Sequence, residues 1–382
     1  MGRKADGRRC VRHAVRWEGM TVNEAEVILA IDGGMGRVTL NRPQALNALT
    51  TDMCLKISRG LLDWADDPAV ETVLIDHAGP RGFCAGGDVR KVAESGAGDG
   101  AEARRFFAAE YRMNELMFRY PKPVIAAMDG VTMGGGVGLS MPARYRIATE
   151  HTLWAMPEGD IGLFPDVGMG WHLPRLPGEV GTWLALTGAR LRAADLVALG
   201  LATHFVESGR LDEMKDALNS AHPRERGDER MGKTIARFAS DPGHASIVQL
   251  QPKIDRLFAN DAVEAILAAL EADGSDWALQ QRDVMARKCP TTLKAALRLL
   301  REGRTRADFT EEMRTEYRLA VRMTRRQDFI AGVRAVLVDK TGAPDWSPSS
   351  LEEVDAEMVD SLFAPAPEGG EWYPISPSGL DS

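Results

Sequence analysis

The sequence predicts an α/β fold that is followed by a largely helical C-terminal region. Two observations support this interpretation. Between residues 25 and 148, short apolar runs typical of strands alternate with helical patterns, as in sheets whose strands are joined by helical crossovers. From about residue 178 onward, the segments with a clear apolar period have the spacing of helices.

The N-terminal half begins with a predicted β-hairpin, because residues 25–31 and 36–40 resemble strands and Gly33 and Gly34 between them suit a turn. Further strands are predicted at 70–75, 124–128 and 145–148. Helices are predicted at 44–65, 101–120, 178–186, 193–199, 211–219, 262–271, 293–301 and 311–322.

These patterns divide the chain into four segments. They are a flexible basic tail at 1–21, a core at 22–206, a helical C-terminal region at 207–346, and a Pro/Ser/Gly-rich tail at 347–382 that we expect to be poorly ordered. Residues 1–19 carry six Lys and Arg side chains against two acids and lack the apolar stretch of a secretory signal. We therefore expect a cytoplasmic protein, or one of the mitochondrial matrix if the source is eukaryotic and this stretch is a transit peptide.

Composition excludes several classes of function. The formal net charge of −8 argues against nonspecific nucleic-acid binding, and no apolar run is long enough to span a membrane. The 4 cysteines form neither a C-x-x-C pair nor a zinc spacing, so we expect reduced thiols.

The chemistry is concentrated in residues 123–168. Gly134, Gly135 and Gly136 follow a predicted strand, and Glu158 and Asp166 then appear among apolar residues. Consecutive glycines let the backbone approach a ligand closely, and acids among apolar residues are costly to bury unless they are paired or used. This stretch therefore offers hydrogen-bond donors for a developing negative charge, together with carboxylates that can attack or move protons.

A second glycine loop, at residues 84–88, also follows a predicted strand. If the two loops converge, their outward N–H groups would hold one carbonyl oxygen as an oxyanion hole. The alternative, that the glycines only make tight turns, stays open at this point.

Three other enzyme classes have weaker support. Residues 227–234 match the phosphate-binding pattern G-x-x-x-x-G-K-[ST], but a polar, proline-containing segment precedes them instead of a buried strand. The nucleophile elbow G-x-S-x-G of serine hydrolases is not matched, because Pro142 stands at the position of its last glycine. No H-E-x-x-H zinc motif occurs.

Several motifs together resemble the crotonase superfamily, which is also called the enoyl-CoA hydratase/isomerase family. They are LNRPQALNAL (40–49), FCAGGDV (83–89) and MDGVTMGGGVGLS (128–140). Further segments, including AMPEGDIGLFPDVGMG (155–170), CPTTLK (289–294), TEYRLA (315–320) and DFIAGVRAVLVDK (328–340), resemble the branch of the family that hydrolyses thioesters. The resemblance implies a crotonase-like right-handed spiral of ββα units, followed by helices that close the acyl-CoA pocket.

The same resemblance implies the site residues. The backbone N–H groups of Ala85 and Gly135 would form the oxyanion hole, and Glu158 and Asp166 would be the catalytic acids. Substrate contacts are implied for Glu110, Gly87 and Asp88, in addition to Gly135, Glu158 and Asp166. No metal and no redox cofactor are expected, since coenzyme A is part of the acyl-CoA substrate. Arg42, Arg90 and Lys91 are candidate partners of its phosphates. A homo-oligomer is compatible with the resemblance.

One departure from the family pattern indicates the reaction class. Hydratases of the family use two glutamates, the first of them two residues past the glycine triplet, where this chain has Gly138. A single glutamate suits thioester hydrolysis better than hydration, so we expect hydrolysis of a short branched 3-hydroxyacyl-CoA of valine breakdown, with Gly138 leaving space for the acyl branch. Whether Glu158 is nucleophile or general base stays open. The alternatives are an enoyl-CoA hydratase or isomerase and a non-catalytic acyl-CoA-binding protein.

Overall fold

Two sheets, in which nearly all strands are parallel, form the N-terminal half of the chain. The computed structural model describes residues 25–219, 228–342, 344–367 and 369–375. Its strands are β1 (Val27–Asp32), β2 (Met35–Leu40), β3 (Thr72–His77), β4 (Gly82–Cys84), β5 (Val124–Met128), β6 (Val131–Met133), β7 (Tyr145–Ala148), β8 (Leu153–Ala155) and β9 (His204–Phe205). The larger sheet has the order β1-β2-β3-β5-β7-β9 and the smaller sheet the order β4-β6-β8.

The chain adds one strand to each sheet in turn. β1 and β2 form the predicted antiparallel hairpin, and the other neighbouring strands are parallel. β3 is followed by β4, β5 by β6, and β7 by β8, with the first strand of each pair in the larger sheet and the second in the smaller one. This repetition produces a spiral of ββα units, as the sequence predicted.

Helices make up most of the rest of the described chain. They are α1 (Thr51–Ala65), α2 (Val89–Ala97), α3 (Ala101–Phe118), α4 (Gly135–Ser140), α5 (Met169–His172), α6 (Val180–Thr187), α7 (Ala193–Ala198), α8 (Leu211–Asn219), α9 (Asp228–Ala236), α10 (Ser246–Leu257), α11 (Val263–Asp273), α12 (Asp276–Ala286), α13 (Pro290–Gly303), α14 (Phe309–Met323), α15 (Gln327–Val333) and α16 (Ala356–Phe363). All six helices predicted after residue 178 are present. Five further helices of the described chain after residue 178, α9, α10, α12, α15 and α16, were not predicted. Of these, α10 contains Pro252, a residue that usually ends a helix.

The larger sheet is buried on both faces, which explains why its central strands are continuous apolar runs. In β5, Ile125 and Ala127 belong to a cluster that α8 and α9 cover. Val124, Ala126 and Met128 alternate with them and belong to the main core, where α1, α3 and the C-terminal helices pack. Successive side chains of a strand point to opposite faces, so one run serves both clusters.

The first long helix is shorter than predicted. α1 begins at Thr51, because Leu46 and Asn47 have positive φ angles of 50° and 56° that a helix does not tolerate. Thr50 caps the helix by accepting a hydrogen bond from the Met53 N–H at 3.2 Å. The segment 46–50 is thereby free to run beside the glycine loop at 85–88.

The C-terminal region packs directly on the core. α14 lies against α3, and α15 lies against α2. The expectation of a poorly ordered tail after residue 347 is wrong for its described part, because α16 packs on α14 and Trp372 is buried in the main core. A large aromatic side chain in an apolar environment stabilises such a segment despite its Pro and Gly content. The predicted basic tail at 1–21 lies outside the described residues.

Three predictions from motifs and composition can be compared with the described residues. Residues 228–236 of the phosphate-loop match form the helix α9, whereas a phosphate loop requires an irregular backbone; Gly227 lies outside the description. Cys54, Cys84 and Cys289 are buried free thiols. None of the described helices is long and apolar enough to cross a membrane.

Candidate active site

The smaller sheet brings the predicted site segments together. β4 ends at Cys84, β6 ends at Met133 and β8 ends at Ala155. The three strands are parallel neighbours, so their carboxyl ends lie at one edge of the sheet. The loop 85–88, the glycine triplet and Glu158 follow these ends directly, at the edge where open α/β sheets bind ligands.

The glycine triplet makes room for two carboxylates. A Cβ atom on Gly135 would overlap Glu110 Oε1, and one on Gly134 would lie 3.0 Å from Glu158 Oε1. Gly134 also has φ 48° and ψ −120°, which an L-residue with a side chain rarely adopts. Gly135 is the first residue of α4, so its N–H has no acceptor within the helix. Glu110 and Glu158 therefore lie close to a backbone donor at a helix N-terminus.

The structure corrects the predicted role of Ala85. Its N–H donates a hydrogen bond to the Leu46 carbonyl oxygen at 3.0 Å and is not available to a ligand. The Gly87 N–H, in contrast, donates to no protein acceptor within the described ranges. Gly86, between them, lies against the triplet, since a Cβ there would be 3.8 Å from the Gly135 nitrogen. The left-handed φ of 115° at Gly86 turns the backbone between these two amides.

Hydrogen bonds from the segment before α1 hold this loop in place. Leu49 N–H donates to the Gly86 carbonyl at 2.8 Å, and Asp88 N–H donates to the Leu49 carbonyl at 2.8 Å. The Asp88 carboxylate pairs with Arg42 at 2.8 Å. Arg42 also lies 3.1 Å from Glu26, so this candidate phosphate partner is already balanced by two acids.

The other two candidate phosphate partners differ from each other. Arg90 Nη2 donates to the Leu337 carbonyl at 2.6 Å, which ties α2 to the end of the C-terminal block. Lys91 is exposed at the surface of the same helix. Arg90 is exposed as well, so the two candidates differ in that the Arg90 side chain is already bonded to the protein.

Three buried carboxyl groups converge at the site. Glu110, Glu158 and Asp166 are only 2%, 6% and 4% exposed. The Tyr111 hydroxyl donates a hydrogen bond to Asp166 Oδ2 at 2.7 Å. Glu110 Oε1 and Glu158 Oε2 have no hydrogen-bond partner within the described part of the chain. Buried polar atoms are nearly always partnered in folded proteins, so these two oxygens mark a place for a ligand or water.

Burial is the main influence on the pKa values of these three acids. It raises the pKa of Glu110 and Glu158 well above the usual range, and the charge of Asp166 adds to both effects. Nearby Lys288 acts in the opposite direction on the pKa of Glu158. Burial also raises the pKa of Asp166 to about 7, against the opposing hydrogen bond from Tyr111. Burial therefore opposes simultaneous ionisation of the three groups, which favours sharing or transfer of a proton among them.

The C-terminal helices hold the segment that carries Glu158. Lys288 is buried and its Nζ lies 2.6 Å from Asp160 Oδ1. The Cys289 N–H donates to the Gly159 carbonyl at 3.3 Å. Sequence reasoning did not identify Lys288 or Tyr111 as part of the site, although Lys288 directly precedes the CPTTLK motif and Tyr111 directly follows Glu110.

Gly138 has a different role from the one we expected. A Cβ atom there would lie 2.7 Å from Val167 Cβ and 2.9 Å from Asn114 Nδ2. The expected space for an acyl branch is therefore occupied by two side chains, and that expectation is wrong. Gly138 allows α4 to pack closely against α3 and against the residue that follows Asp166.

Comparison with known proteins identifies the class. Residues 35–363 match the family model described as enoyl-CoA hydratase/isomerase. The chain belongs to the enoyl-CoA hydratase/isomerase family, as the sequence motifs indicated.

Among curated relatives, the mitochondrial 3-hydroxyisobutyryl-CoA hydrolase of Gallus gallus is 42% identical over 360 residues, which cover 90% of each chain. The mitochondrial enzyme of the same name from Homo sapiens is 40% identical over 358 residues, which cover 92% of each chain. The resemblance to the hydrolase branch is thereby confirmed.

Solved structures support the fold. A carnitinyl-CoA dehydratase from Mycobacterium thermoresistibile superimposes with a TM-score of 0.84 at 38% identity, covering 89% of this chain and 97% of its own. An enoyl-CoA hydratase from Rhodobacter sphaeroides 2.4.1 gives a TM-score of 0.83 at 39% identity, covering 91% of this chain and 100% of its own. The predicted fold class is confirmed, while these two names describe a different reaction from that of the curated relatives.

Proposed function

We propose that this chain hydrolyses the thioester of 3-hydroxyisobutyryl-CoA to 3-hydroxyisobutyrate and coenzyme A. The observation that carries the proposal is the 40–42% identity to 3-hydroxyisobutyryl-CoA hydrolases over at least nine-tenths of both chains. The site agrees with it, because Glu158 follows β8 beside the glycine triplet and the position of the family's second glutamate is Gly138. By the same resemblance, the reaction belongs to valine breakdown.

Two backbone amides are suited to polarise the thioester carbonyl. We assign the oxyanion hole to the N–H groups of Gly135 and Gly87, instead of Gly135 and Ala85. Both donors are unused within the described residues, and the helix N-terminus at Gly135 favours negative charge. Each donor in such a site typically stabilises the transition state by about 2.7–4 kcal/mol.

Glu158 is the group suited to begin the reaction. Its Oε1 lies beside Gly134, and its Oε2 has no protein partner within the described chain. The carboxylate can attack the carbonyl carbon and displace the coenzyme A thiolate, which leaves a mixed anhydride for water to cleave. It can instead take a proton from a water that attacks the carbonyl directly. Both routes use the same position and the ionised form of Glu158.

Glu110 and Asp166 are suited to bind the hydroxyacyl group. The raised pKa of Glu110 favours its protonated form, which can donate a hydrogen bond to an oxygen of the substrate. Asp166 is oriented by the Tyr111 hydroxyl and can accept from the substrate hydroxyl. We propose these as the roles of the two acids.

The runner-up is hydration of an enoyl-CoA, which the names of the two solved structures favour. Against it, a second glutamate at residue 138 would collide with Val167 and Asn114. A non-catalytic acyl-CoA-binding protein is disfavoured, because burying three carboxyl groups, of which Glu110 and Glu158 each have an unpartnered oxygen, would cost stability without a use.

A substrate panel separates these hypotheses. The protein is incubated with 3-hydroxyisobutyryl-CoA, straight-chain 3-hydroxybutyryl-CoA and crotonyl-CoA. A thiol reagent reports hydrolysis, and ultraviolet loss of the enoyl thioester reports hydration. We expect thiol release that is fastest with the branched substrate and negligible hydration. Efficient hydration without thiol release from any hydroxyacyl-CoA would support the runner-up instead.

The compartment and the assembly state are separate proposals. We infer a mitochondrial matrix location if the source is eukaryotic, because the vertebrate relatives are described as mitochondrial; otherwise we infer the cytoplasm. Fractionation of the source cells tests this inference. A homo-oligomer stays a prediction, which light scattering of the purified protein would test.

A further inference from the structure

The backbone directly after Asp166 is in an unfavourable conformation. Val167 and Gly168 both have positive φ angles, 55° and 87°. A β-branched residue in the left-handed region is rare and strained. It persists only where surrounding contacts determine it, so the structure must hold residues 166–170 from outside.

A carboxylate of the C-terminal region supplies that contact. Glu316, in the middle of α14, is fully buried. Its Oε2 accepts a hydrogen bond from the Gly168 N–H at 2.7 Å, and its Oε1 accepts one from the Gly170 N–H at 3.0 Å. One side chain therefore spans the start of α5 and satisfies two of the amides that a helix N-terminus leaves without partners.

The link continues to the proposed site. The Met169 N–H donates to the Asp166 carbonyl at 3.1 Å, so the turn that Glu316 holds includes Asp166 itself. On the other side, the Tyr111 hydroxyl fixes the Asp166 carboxylate. Glu316 makes no hydrogen bond to a group that we place in contact with substrate, so it reaches Asp166 through the backbone of this turn and through the charge interaction between the two carboxyl groups.

We propose that Glu316 is a positioning residue that sets the orientation of Asp166 from α14. The inference rests on the proposed function, because it assumes that Asp166 takes part in hydrolysis. The ionised carboxylate is the form that matches the geometry, since each of its oxygens accepts from one backbone amide. These two bonds oppose the rise in the pKa of Glu316 that burial and the nearby Glu312 cause. A carboxamide has only one accepting oxygen, and its NH₂ group would face the second amide donor.

Glu312 provides a matched control one helical turn earlier. It is also a fully buried acid on α14. It pairs with Arg306 at 2.6 Å and accepts no hydrogen bond from the backbone of residues 166–170. Its Oε1 packs against Gly170, so Glu312→Gln changes a buried acid beside the same turn while it keeps both hydrogen bonds from Glu316.

The test compares turnover in Glu316→Gln, Glu312→Gln, Asp166→Asn and the Asp166→Asn/Glu316→Gln double variant, with thermal melting to confirm folding. A displacement of about 1 Å at a reacting group can cost on the order of 10²-fold, so kcat of Glu316→Gln should fall by that order. Glu312→Gln keeps both hydrogen bonds from Glu316 to the turn, so its kcat should stay within roughly fivefold of wild type. In the Asp166→Asn background, Glu316→Gln should change kcat by less than about twofold, because the residue it positions is already disabled.

A second variant covers the case in which Glu316→Gln does not fold. Glu316→Asp keeps the charge but withdraws the carboxylate from the two amides, and kcat should again fall by at least tenfold. Wild-type kcat in a folded Glu316 variant, or the same fold-loss with and without Asp166, would overturn the inference while leaving the proposed function intact. Wild-type kcat in Asp166→Asn would overturn both the role of Asp166 and the inference. No thiol release by the wild type would instead overturn the proposed function itself.

Discussion

Gly135→Ala tests how closely the site is assembled around the glycine triplet. The added Cβ would overlap Glu110 Oε1, and it would lie 3.0 Å from Leu49 Cδ1 and 3.3 Å from the backbone carbon of Gly86. The Glu110 carboxylate is the most movable of these groups, so we expect it to shift away from the added Cβ. The backbone N–H of residue 135 is kept, which separates the position of Glu110 from the presence of the oxyanion donor.

The expected effect is large for turnover and small for stability. Displacing a carboxylate by about 1 Å in an active site costs on the order of 10²-fold in rate. Overpacking costs roughly 1–3 kcal/mol in the free energy of unfolding, partly offset because alanine is a better helix residue than glycine by up to about 1 kcal/mol. We therefore expect kcat for thiol release from 3-hydroxyisobutyryl-CoA to fall about 100-fold in a protein that still folds.

The assay is thiol release followed with a thiol reagent, beside urea unfolding of the same preparations. Gly209→Ala is the matched control, because a Cβ at Gly209 meets nothing within 4 Å. It should leave both turnover and stability near wild type. If Gly135→Ala kept kcat within about twofold of wild type, Glu110 would have no role that depends on its position, and the assignment of this acid to the substrate site would be wrong.

Three further predictions concern the acids and the helices that hold them. Glu158→Gln keeps the shape of the side chain but removes both nucleophile and base, so thiol release should fall at least tenfold, since general-base catalysis alone contributes about 10²–10⁴-fold; a smaller loss with normal melting would contradict the assignment. Tyr111→Phe removes the hydrogen bond that opposes the raised pKa of Asp166, so the limb of the kcat/KM profile governed by Asp166 should move to higher pH. Tyr120→Phe, whose hydroxyl donates to the Leu61 carbonyl, is its control, and equal profiles in both variants would refute the link. Truncation before Asp308 removes α14 and α15 and should abolish turnover, whereas a soluble and fully active fragment would show that these helices are dispensable.

The pKa of Asp166 also predicts how stability depends on pH. A carboxyl group whose pKa rises from 3.8 to about 7 on folding binds more protons in the folded state between these two values. The contribution of Asp166 to the free energy of unfolding is therefore largest below about pH 4. It decreases as the pH rises toward 7, by up to about 1.4 kcal/mol per pH unit. Asp166→Asn should flatten the dependence of the free energy of unfolding on pH over this range. A variant whose unfolding profile keeps the wild-type slope would show that Asp166 is ionised normally in the folded protein.

Local patterns were sufficient to predict the fold class and the identity of most candidate groups. The alternation of strand and helix periods predicted the parallel α/β core, because the period of apolar residues is set by which side of an element is buried. Glu158 and Asp166 were recognisable because acids in an apolar, Gly- and Pro-rich segment are expensive to bury. The glycine motif at 134–136 likewise indicated a close approach of the backbone to a ligand.

Tertiary structure decided which groups are available to a ligand. Ala85 and Gly87 are neighbours in one glycine loop, yet only the structure shows that the Ala85 N–H is bonded to Leu46 and the Gly87 N–H is not. Such a hydrogen bond between residues far apart in the chain leaves no periodic signal in a sequence. The same holds for Gly138, whose missing side chain accommodates Val167 and Asn114 instead of a substrate.

The influence of distant helices was likewise visible only in three dimensions. Glu316 lies about 150 residues from Asp166 in the chain and resembles any acid on an amphipathic helix. Its burial and its two bonds to Gly168 and Gly170 arise because α14 packs across α3 and against α5. Sequence periodicity reports which face of a helix is buried, whereas the partner of that face depends on the path of the whole chain. The sequence by itself therefore determined the class of the fold and the identity of its acids. Packing determined which backbone amides are available as hydrogen-bond donors and which residues hold the acids in place.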